Sequence, residues 1–127
     1  MSRYVEEYSD TRYVPTPSHV CDPQDFTVPV ADSLWISTHL ETYRGLVRQF
    51  AMTLQTADGK HIARIDTDHS VVHRHQFYRD GSQDRPPHFI ERIPAGLDGA
   101  KTVDKLYGEA ADIMYEQAGE MLRRWAQ

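Results

Sequence analysis

The sequence predicts a single α+β domain: an antiparallel β-meander of five or six strands with one long C-terminal α-helix packed on one face. Two patterns predict this fold class. Between residues 26 and 93, short segments of alternating apolar and polar side chains are separated by turn-forming residues, which is typical of successive antiparallel strands. After residue 98, apolar residues recur at steps of three and four, which is typical of an amphipathic helix. The length of 127 residues suits one domain.

The strands are predicted in chain order from these alternations. Residues 26–30 form a short first strand, and Pro29 indicates a sheet edge because proline cannot donate to a strand ladder. Asp58-Gly59 predicts a hairpin turn, since such turns require the positive φ that this dipeptide accepts. The remaining strands are expected at residues 33–40, 46–54, 61–66, 71–78 and 88–93.

The C-terminal helix is expected to begin at Asp98, whose side chain is a good N-cap, with Gly99 as the alternative N-cap. Its apolar stripe is wide enough to be buried against a sheet face. Acidic residues occupy the opposite side, and Arg123 and Arg124 lie where the helix dipole favours cations. The stripe consists of Val103, Leu106, Tyr107, Ala110, Ile113, Met114, Ala118, Met121, Leu122 and Trp125.

Residues 1–23 differ from the domain proper, which spans residues 24–127. They mix charges with three prolines and show neither helical nor strand spacing. Two interpretations are open: a flexible tail, or a tyrosine-bearing arm that docks on a partner or on the domain itself.

Composition restricts the classes of function. The net charge of −5 argues against non-specific binding to duplex nucleic acid, which depends on clustered Lys and Arg. Cys21 is the only cysteine, so neither an intrachain disulfide nor a thiolate metal cluster can form. The N-terminus does not resemble a signal peptide, and no stretch approaches the ~20 apolar residues of a membrane span. The sequence therefore predicts a cytoplasmic protein that does not enter the membrane.

Residues 64–81 are the predicted location of a chemical site. Within eighteen residues they hold three histidines, three aspartates and three arginines. Strand alternation places His73 and His75 on one face, with Arg74 and Tyr78 on the other. The groups expected beside the two histidines are Asp66 and Asp68, which flank the preceding turn, His69 in that turn, and His88 from the next strand.

Three interpretations of this segment are open. In the first, His73, His75 and Asp66 bind a divalent metal. In the second, His73 and His75 act as general acid and base on an RNA phosphodiester, because histidine titrates near neutral pH. Arg64, Arg74 or Arg79 would then hold phosphate, and Tyr78 would stack on a base. In the third, the histidines are structural and the arginines pair with aspartates.

Short motifs between residues 43 and 93 carry a resemblance to a known family. They are Tyr43-Arg44-Gly45-Leu46-Val47-Arg48-Gln49-Phe50, Asp58-Gly59, Arg64-Ile65-Asp66, His69 and His73-Arg74-His75. With these motifs the chain resembles the TumE family of small bacterial toxins. The resemblance implies strands leading to a His-x-His strand and a C-terminal helical segment, a helix-turn-helix antitoxin as partner, and action on RNA. By analogy it implies site roles for Asp66, His69, His73 and His75.

This chain departs from the family pattern at Thr67, where an asparagine is usual. The stretch Ile65-Asp66-Thr67-Asp68-His69 is also similar to an Asp-Thr-Ala-His-Gly motif of small actinobacterial proteins of unknown function. The expected function is a toxin-antitoxin-like protein that acts on RNA, with ribonuclease-like chemistry. The alternative is a non-enzymatic interaction module with structural histidines. The partners left open are an antitoxin, another protein, RNA and a second copy of the chain.

Overall fold

The structure is a computed structural model that describes residues 4–68 and 70–127. It contains six strands and one long helix, preceded by a 3₁₀ turn at Ser18–Val20. The elements are β1 (Asp22–Ala31), β2 (Leu34–Tyr43), β3 (Leu46–Thr56), β4 (His61–Asp68), β5 (Val71–Gln76), β6 (His88–Arg92) and α1 (Gly96–Trp125).

The six strands form one antiparallel sheet in the order of the chain, so the predicted meander is confirmed. β1 is an edge strand, in agreement with the position of Pro29. Gly59 has a φ of +87° in the turn between β3 and β4, which is the conformation that the Asp-Gly dipeptide predicts.

α1 packs on one face of the sheet, mostly against β3, and so confirms the predicted α+β class. Its buried side chains lie three or four residues apart, at Val103, Leu106, Ala110, Met114, Ala118, Met121 and Trp125. They meet apolar side chains of the central strands, including Met52, Leu54 and Ile65. Among the described residues, no helix is both long and apolar enough to cross a membrane. The opposite face of the sheet, turned away from α1, is called the open face below.

Several predicted boundaries are wrong. β2, β3 and β4 extend two or three residues beyond their predicted ends. β1 begins at Asp22 rather than Phe26 because the long β2 strand pairs with it along its whole length. α1 begins at Gly96 after Ala95, so Asp98 lies in the first turn instead of capping it. A carboxylate there still stabilises the helix through the dipole. β5 ends at Gln76, which is buried and donates to the carbonyl of Met121.

The described part of the N-terminal arm packs on the domain. Tyr13 is buried in the core, and its hydroxyl donates a 2.6 Å hydrogen bond to the carbonyl oxygen of Arg48. Burial raises the pKa of Tyr13. Ser70 donates to the carbonyl oxygen of Tyr13. The tyrosine-bearing arm therefore docks on its own domain, across the turn between β4 and β5.

The arm requires a glycine in the first turns of α1. A Cβ at Gly99 would lie 2.1 Å from the carbonyl oxygen of Pro94 and 2.4 Å from a ring carbon of Tyr13. We expect Gly99→Ala to lower the free energy of unfolding by about 1–3 kcal/mol, because neither neighbour can withdraw freely. Gly108→Ala is the matched control, since nothing lies within 4 Å of that Cβ position. It should stabilise the helix by up to ~1 kcal/mol. Urea unfolding measures both, and a Gly99 variant as stable as the Gly108 variant would contradict the prediction.

Candidate functional site

The pairing of β4 with β5 brings several predicted site residues to the open face. Asp66 lies opposite His73, and Arg64 lies opposite His75. Directly opposed residues of antiparallel strands project to the same side of the sheet. These four side chains therefore form one polar group, called the histidine cluster below. His69 lies outside the described residues.

Asp66 is the centre of the histidine cluster. It is only 8% exposed, and its Oδ2 lies 2.8 Å from Arg64 Nε. Its Oδ1 lies 3.4 Å from His75 Nε2. The contact with Arg64 is an ion pair. Neither contact is a well-aligned hydrogen bond, since Oδ1 and Arg64 Nε have no hydrogen-bond partner among the described residues.

The two histidines begin a row of rings along the open face. The ring centroids of His73 and His75 are 6.2 Å apart. His75 stacks on Phe77, with centroids 6.2 Å apart and planes inclined by 12°. Phe77 in turn meets His61 edge to face at 6.0 Å. Phe77 and Asp66 thus hold the His75 ring from two sides, while His73 is its neighbour along the strand.

The three-ligand metal site expected from His73, His75 and Asp66 is not formed. Among residues 4–68 and 70–127, no group of three or more His, Cys, Asp or Glu side chains is arranged to hold a metal ion. The physical reason lies in the pairing: Asp66 contacts Arg64 and His75, whereas His73 lies beside His75 with its ring tilted by 59°.

Of the four residues expected to bind substrate, only Arg64 joins the histidine cluster. Arg74 faces α1, where its Nη1 donates to Gln117 Oε1 at 3.0 Å. The Tyr78 hydroxyl donates to Asp84 Oδ1 at 2.6 Å. The Arg79 guanidinium lies 5.2 Å from the centre of the Trp125 ring. Arg74 and Tyr78 are therefore directed away from the histidines, as strand alternation predicted.

A second polar group on the open face was missed by the sequence interpretation. His39 Nδ1 lies 2.8 Å from Asp25 Oδ1, and His39 Nε2 lies 3.2 Å from Glu41 Oε2. Gln49 also donates to Glu41 Oε2, at 2.6 Å. The sequence signal was present, because His39 falls on the polar side of an alternating strand. The meander then places β2 two strands from β4.

The charges of this second group are set by its hydrogen bonds. Contacts with Asp25 and Glu41 raise the pKa of His39 despite partial burial. Burial alone would raise the pKa of Glu41, but hydrogen bonds with Ser18, His39 and Gln49 outweigh it and lower that pKa. His39 is thereby stabilised as a cation and Glu41 as an anion.

A small cleft separates the two polar groups. It has a volume of about 190 Å³ and is lined by residues that include His39, Glu41, Ala51, Arg64 and Asp66. Ala51 lies opposite both His39 and Asp66, so its short side chain leaves the space open. The cleft is smaller than the ~300 Å³ at which whole-ligand sites begin, so it suits part of a ligand.

Comparisons of the chain with protein-family models, with curated proteins and with solved structures find no match. Function is therefore inferred from the geometry of the open face.

Proposed function

We propose that this protein is a toxin-antitoxin-like bacterial protein that cleaves RNA on the open face of its sheet, with His73 and His75 as the acid–base pair. One observation carries the proposal: two imidazoles lie side by side with ring centroids 6.2 Å apart, and one of them contacts a buried carboxylate. Each acid or base must reach its own oxygen of the phosphodiester within ~3 Å. Two groups about 6 Å apart satisfy this requirement.

The reaction would be attack of the ribose 2′-hydroxyl on the adjacent phosphorus. His75 accepts the proton of the 2′-hydroxyl, and Asp66, 3.4 Å from His75 Nε2, stabilises the imidazolium that results. The bond between phosphorus and the 5′-oxygen breaks as protonated His73 gives its proton to that oxygen. The products are a 2′,3′-cyclic phosphate and a 5′-hydroxyl end.

Arg64 supplies the positive charge nearest to this site. Its side chain is 41% exposed while its Nε contacts Asp66, so its terminal nitrogens can bind the phosphate oxygens. Arginine suits this role because its planar fork matches a phosphate. A local cation is needed because the whole chain carries a net charge of −5.

The motifs that resemble those of TumE toxins point to the same residues. The motif residues that the resemblance assigns to the site include Asp66, His73 and His75, and these residues lie together on the open face. A cognate antitoxin is the protein partner that this proposal implies.

The first test is expression of the chain alone in bacteria. We expect growth to stop on induction and His73→Ala to relieve the arrest. His88→Ala is the matched control, because His88 lies opposite Arg74 and contacts Asp84 rather than the histidine cluster. Growth at the normal rate while folded protein accumulates would contradict the proposal.

A second candidate function is a non-enzymatic binding face for a protein. It is favoured by exposed aromatic side chains: Phe89 is 65% exposed and lies opposite His73, and Trp35 is 36% exposed on β2. Under this alternative, the histidines only shape the surface. A partner that binds His73→Ala and His75→Ala as tightly as the unmodified chain, without RNA cleavage, would favour it.

A further inference from the structure

A second cavity lies at the end of the row of rings. Its volume is about 390 Å³, and its lining includes Lys60, His61, Phe77, Arg79 and Trp125, which we call the basic aromatic pocket. These residues come from the β3–β4 turn, the start of β4, the segment after β5 and the end of α1. The volume falls in the range of about 300–1,000 Å³ that is typical of small-molecule sites.

Positive charge predominates in the basic aromatic pocket. Arg79 lies over the Trp125 ring at 5.2 Å and has no carboxylate within ion-pair distance in the described part of the chain. Lys60 has only a loose contact, 3.9 Å from Asp58, with both side chains more than half exposed. Asp80 is the acidic residue of the lining; its Oδ1 accepts hydrogen bonds from the backbone and hydroxyl of Ser82, and it forms no ion pair with Lys60 or Arg79 within the described residues. Lys60 and Arg79 are therefore available to an anion.

The pocket is continuous with the histidine cluster. The ring row passes from His73 to His75, then to Phe77, and from Phe77 to His61. Phe77 and His61 are themselves part of the pocket lining. A strand bound with its phosphate at the two histidines would extend toward the pocket along this row, by way of Phe77.

We propose that the basic aromatic pocket binds a nucleotide of single-stranded RNA adjacent to the cleaved one, with its phosphate held by Lys60 and Arg79 and its base stacked on the aromatic lining. The inference rests on the proposed RNA-cleaving function. Aromatic faces combined with Lys and Arg are the chemistry by which single strands are bound without sequence preference. Arg79 suits the phosphate because a guanidinium stacked on a ring still presents its N–H groups.

The test measures binding of a labelled 2′-O-methyl hexauridylate to the full chain by fluorescence anisotropy at several salt concentrations. The methyl group blocks the 2′-hydroxyl, so binding is measured without cleavage. We expect Lys60→Ala and Arg79→Ala each to weaken binding and to reduce the slope of log affinity against log salt by roughly 0.7, the value for one phosphate contact on a single strand. An abasic hexamer should bind at least about fivefold more weakly, because base stacking is lost.

Lys101→Ala is the matched control for charge. Lys101 lies in the second turn of α1, twenty-four residues before Trp125, so it is about 36 Å from the pocket. It should leave both the affinity and the salt slope unchanged. Circular dichroism checks that each variant is folded. Lys60 lies in an exposed turn and tolerates substitution, so the Lys60→Ala variant still tests the inference if Arg79→Ala does not fold.

Any of four outcomes would overturn the inference. The unmodified chain does not bind the hexamer, or the Lys60 and Arg79 variants bind it as tightly as the unmodified chain does. Alternatively, Lys101→Ala weakens binding as much as those variants do, or the abasic strand binds as tightly as the intact hexamer. Stronger displacement by hexaglutamate than by unlabelled hexamer would assign the pocket to an acidic peptide instead. Failure of the proposed function is distinguishable. Suppose that neither the unmodified chain nor His75→Ala cleaves RNA, while hexamer binding still depends on Lys60 and Arg79. The pocket assignment is then retained and the cleavage mechanism is rejected.

Discussion

His75→Ala is expected to lower the rate of RNA cleavage by at least about 100-fold, the lower limit for loss of a general acid or base. His73→Ala should have a similar effect, because each imidazole handles one of the two protons of the reaction. Asp66→Asn should also slow cleavage, since His75 would lose the carboxylate 3.4 Å from its Nε2. Cleavage of a dinucleotide with a 2′-hydroxyl, followed by chromatography, measures all three rates.

The control for this prediction is His88→Ala, whose imidazole contacts Asp84 on β6 and is outside the histidine cluster. It should cleave at the rate of the unmodified chain. The cleaved fragments should carry 2′,3′-cyclic phosphate ends, and a dinucleotide with 2′-deoxyribose should stay intact. Equal rates for His75→Ala and His88→Ala, or cleavage of the deoxy compound, would refute the acid–base assignment.

Arg48→Met is expected to destabilise the fold by about 3–5 kcal/mol, the cost of leaving one charge of a buried pair without its partner. Arg48 is only 2% exposed and forms an ion pair with Glu6 of the arm, whose side chain is 9% exposed. Its Nε also donates to the carbonyl oxygen of Tyr43 at 3.1 Å. Methionine fills a similar volume but offers Glu6 no donor. Urea unfolding measures the loss.

Arg44→Met is the matched control, because Arg44 contacts the same carboxylate at 3.6 Å but is 67% exposed. Its loss should cost no more than about 1 kcal/mol. The double change Arg48→Met with Glu6→Gln should recover part of the stability, since the unpaired charge is removed with its partner. Equal losses for Arg44→Met and Arg48→Met would contradict the assignment.

The effect of Arg48→Met should also depend on pH. Burial alone would raise the pKa of Glu6, but hydrogen bonds with Tyr8 and Arg48 outweigh it and lower the pKa below the ordinary 4.5. A lowered carboxyl pKa stabilises the fold above the ordinary value, and this contribution is lost as the pH falls through the folded-state pKa. The free energy of unfolding of the variant should therefore differ most from that of the unmodified chain near pH 7. This difference should shrink as the pH falls below 4.5.

The alternation of His73, Arg74 and His75 was enough to predict which of them share a face. That pattern is local, because successive residues of any strand point to opposite sides. The same is true of the turn at Gly59 and of the apolar steps from Val103 to Trp125, which predicted the meander and its helix. These features need no knowledge of which distant residues meet.

The partners of each site residue required the tertiary structure. Arg48 interrupts the alternation of β3, and only the fold shows why. The β2–β3 register shifts between Glu41 and Thr42, which leaves Arg48 as the extra residue of β3. Glu6 of the arm forms an ion pair with it. His39 comes within reach of the histidine cluster only because β2 and β4 flank β3. Strand register and bulges depend on contacts between segments far apart in the chain.

By itself, therefore, the sequence determined the α+β class, the meander, the helix stripe and the two histidines on one face, because all of these follow from short-range periodicity. The tertiary structure alone decided which charged groups meet. Asp66 contacts Arg64 and His75 instead of forming a metal site with His73, and the Arg79 guanidinium lies over the Trp125 ring. Such pairings depend on register and on the packing of α1, which no local pattern of residues specifies.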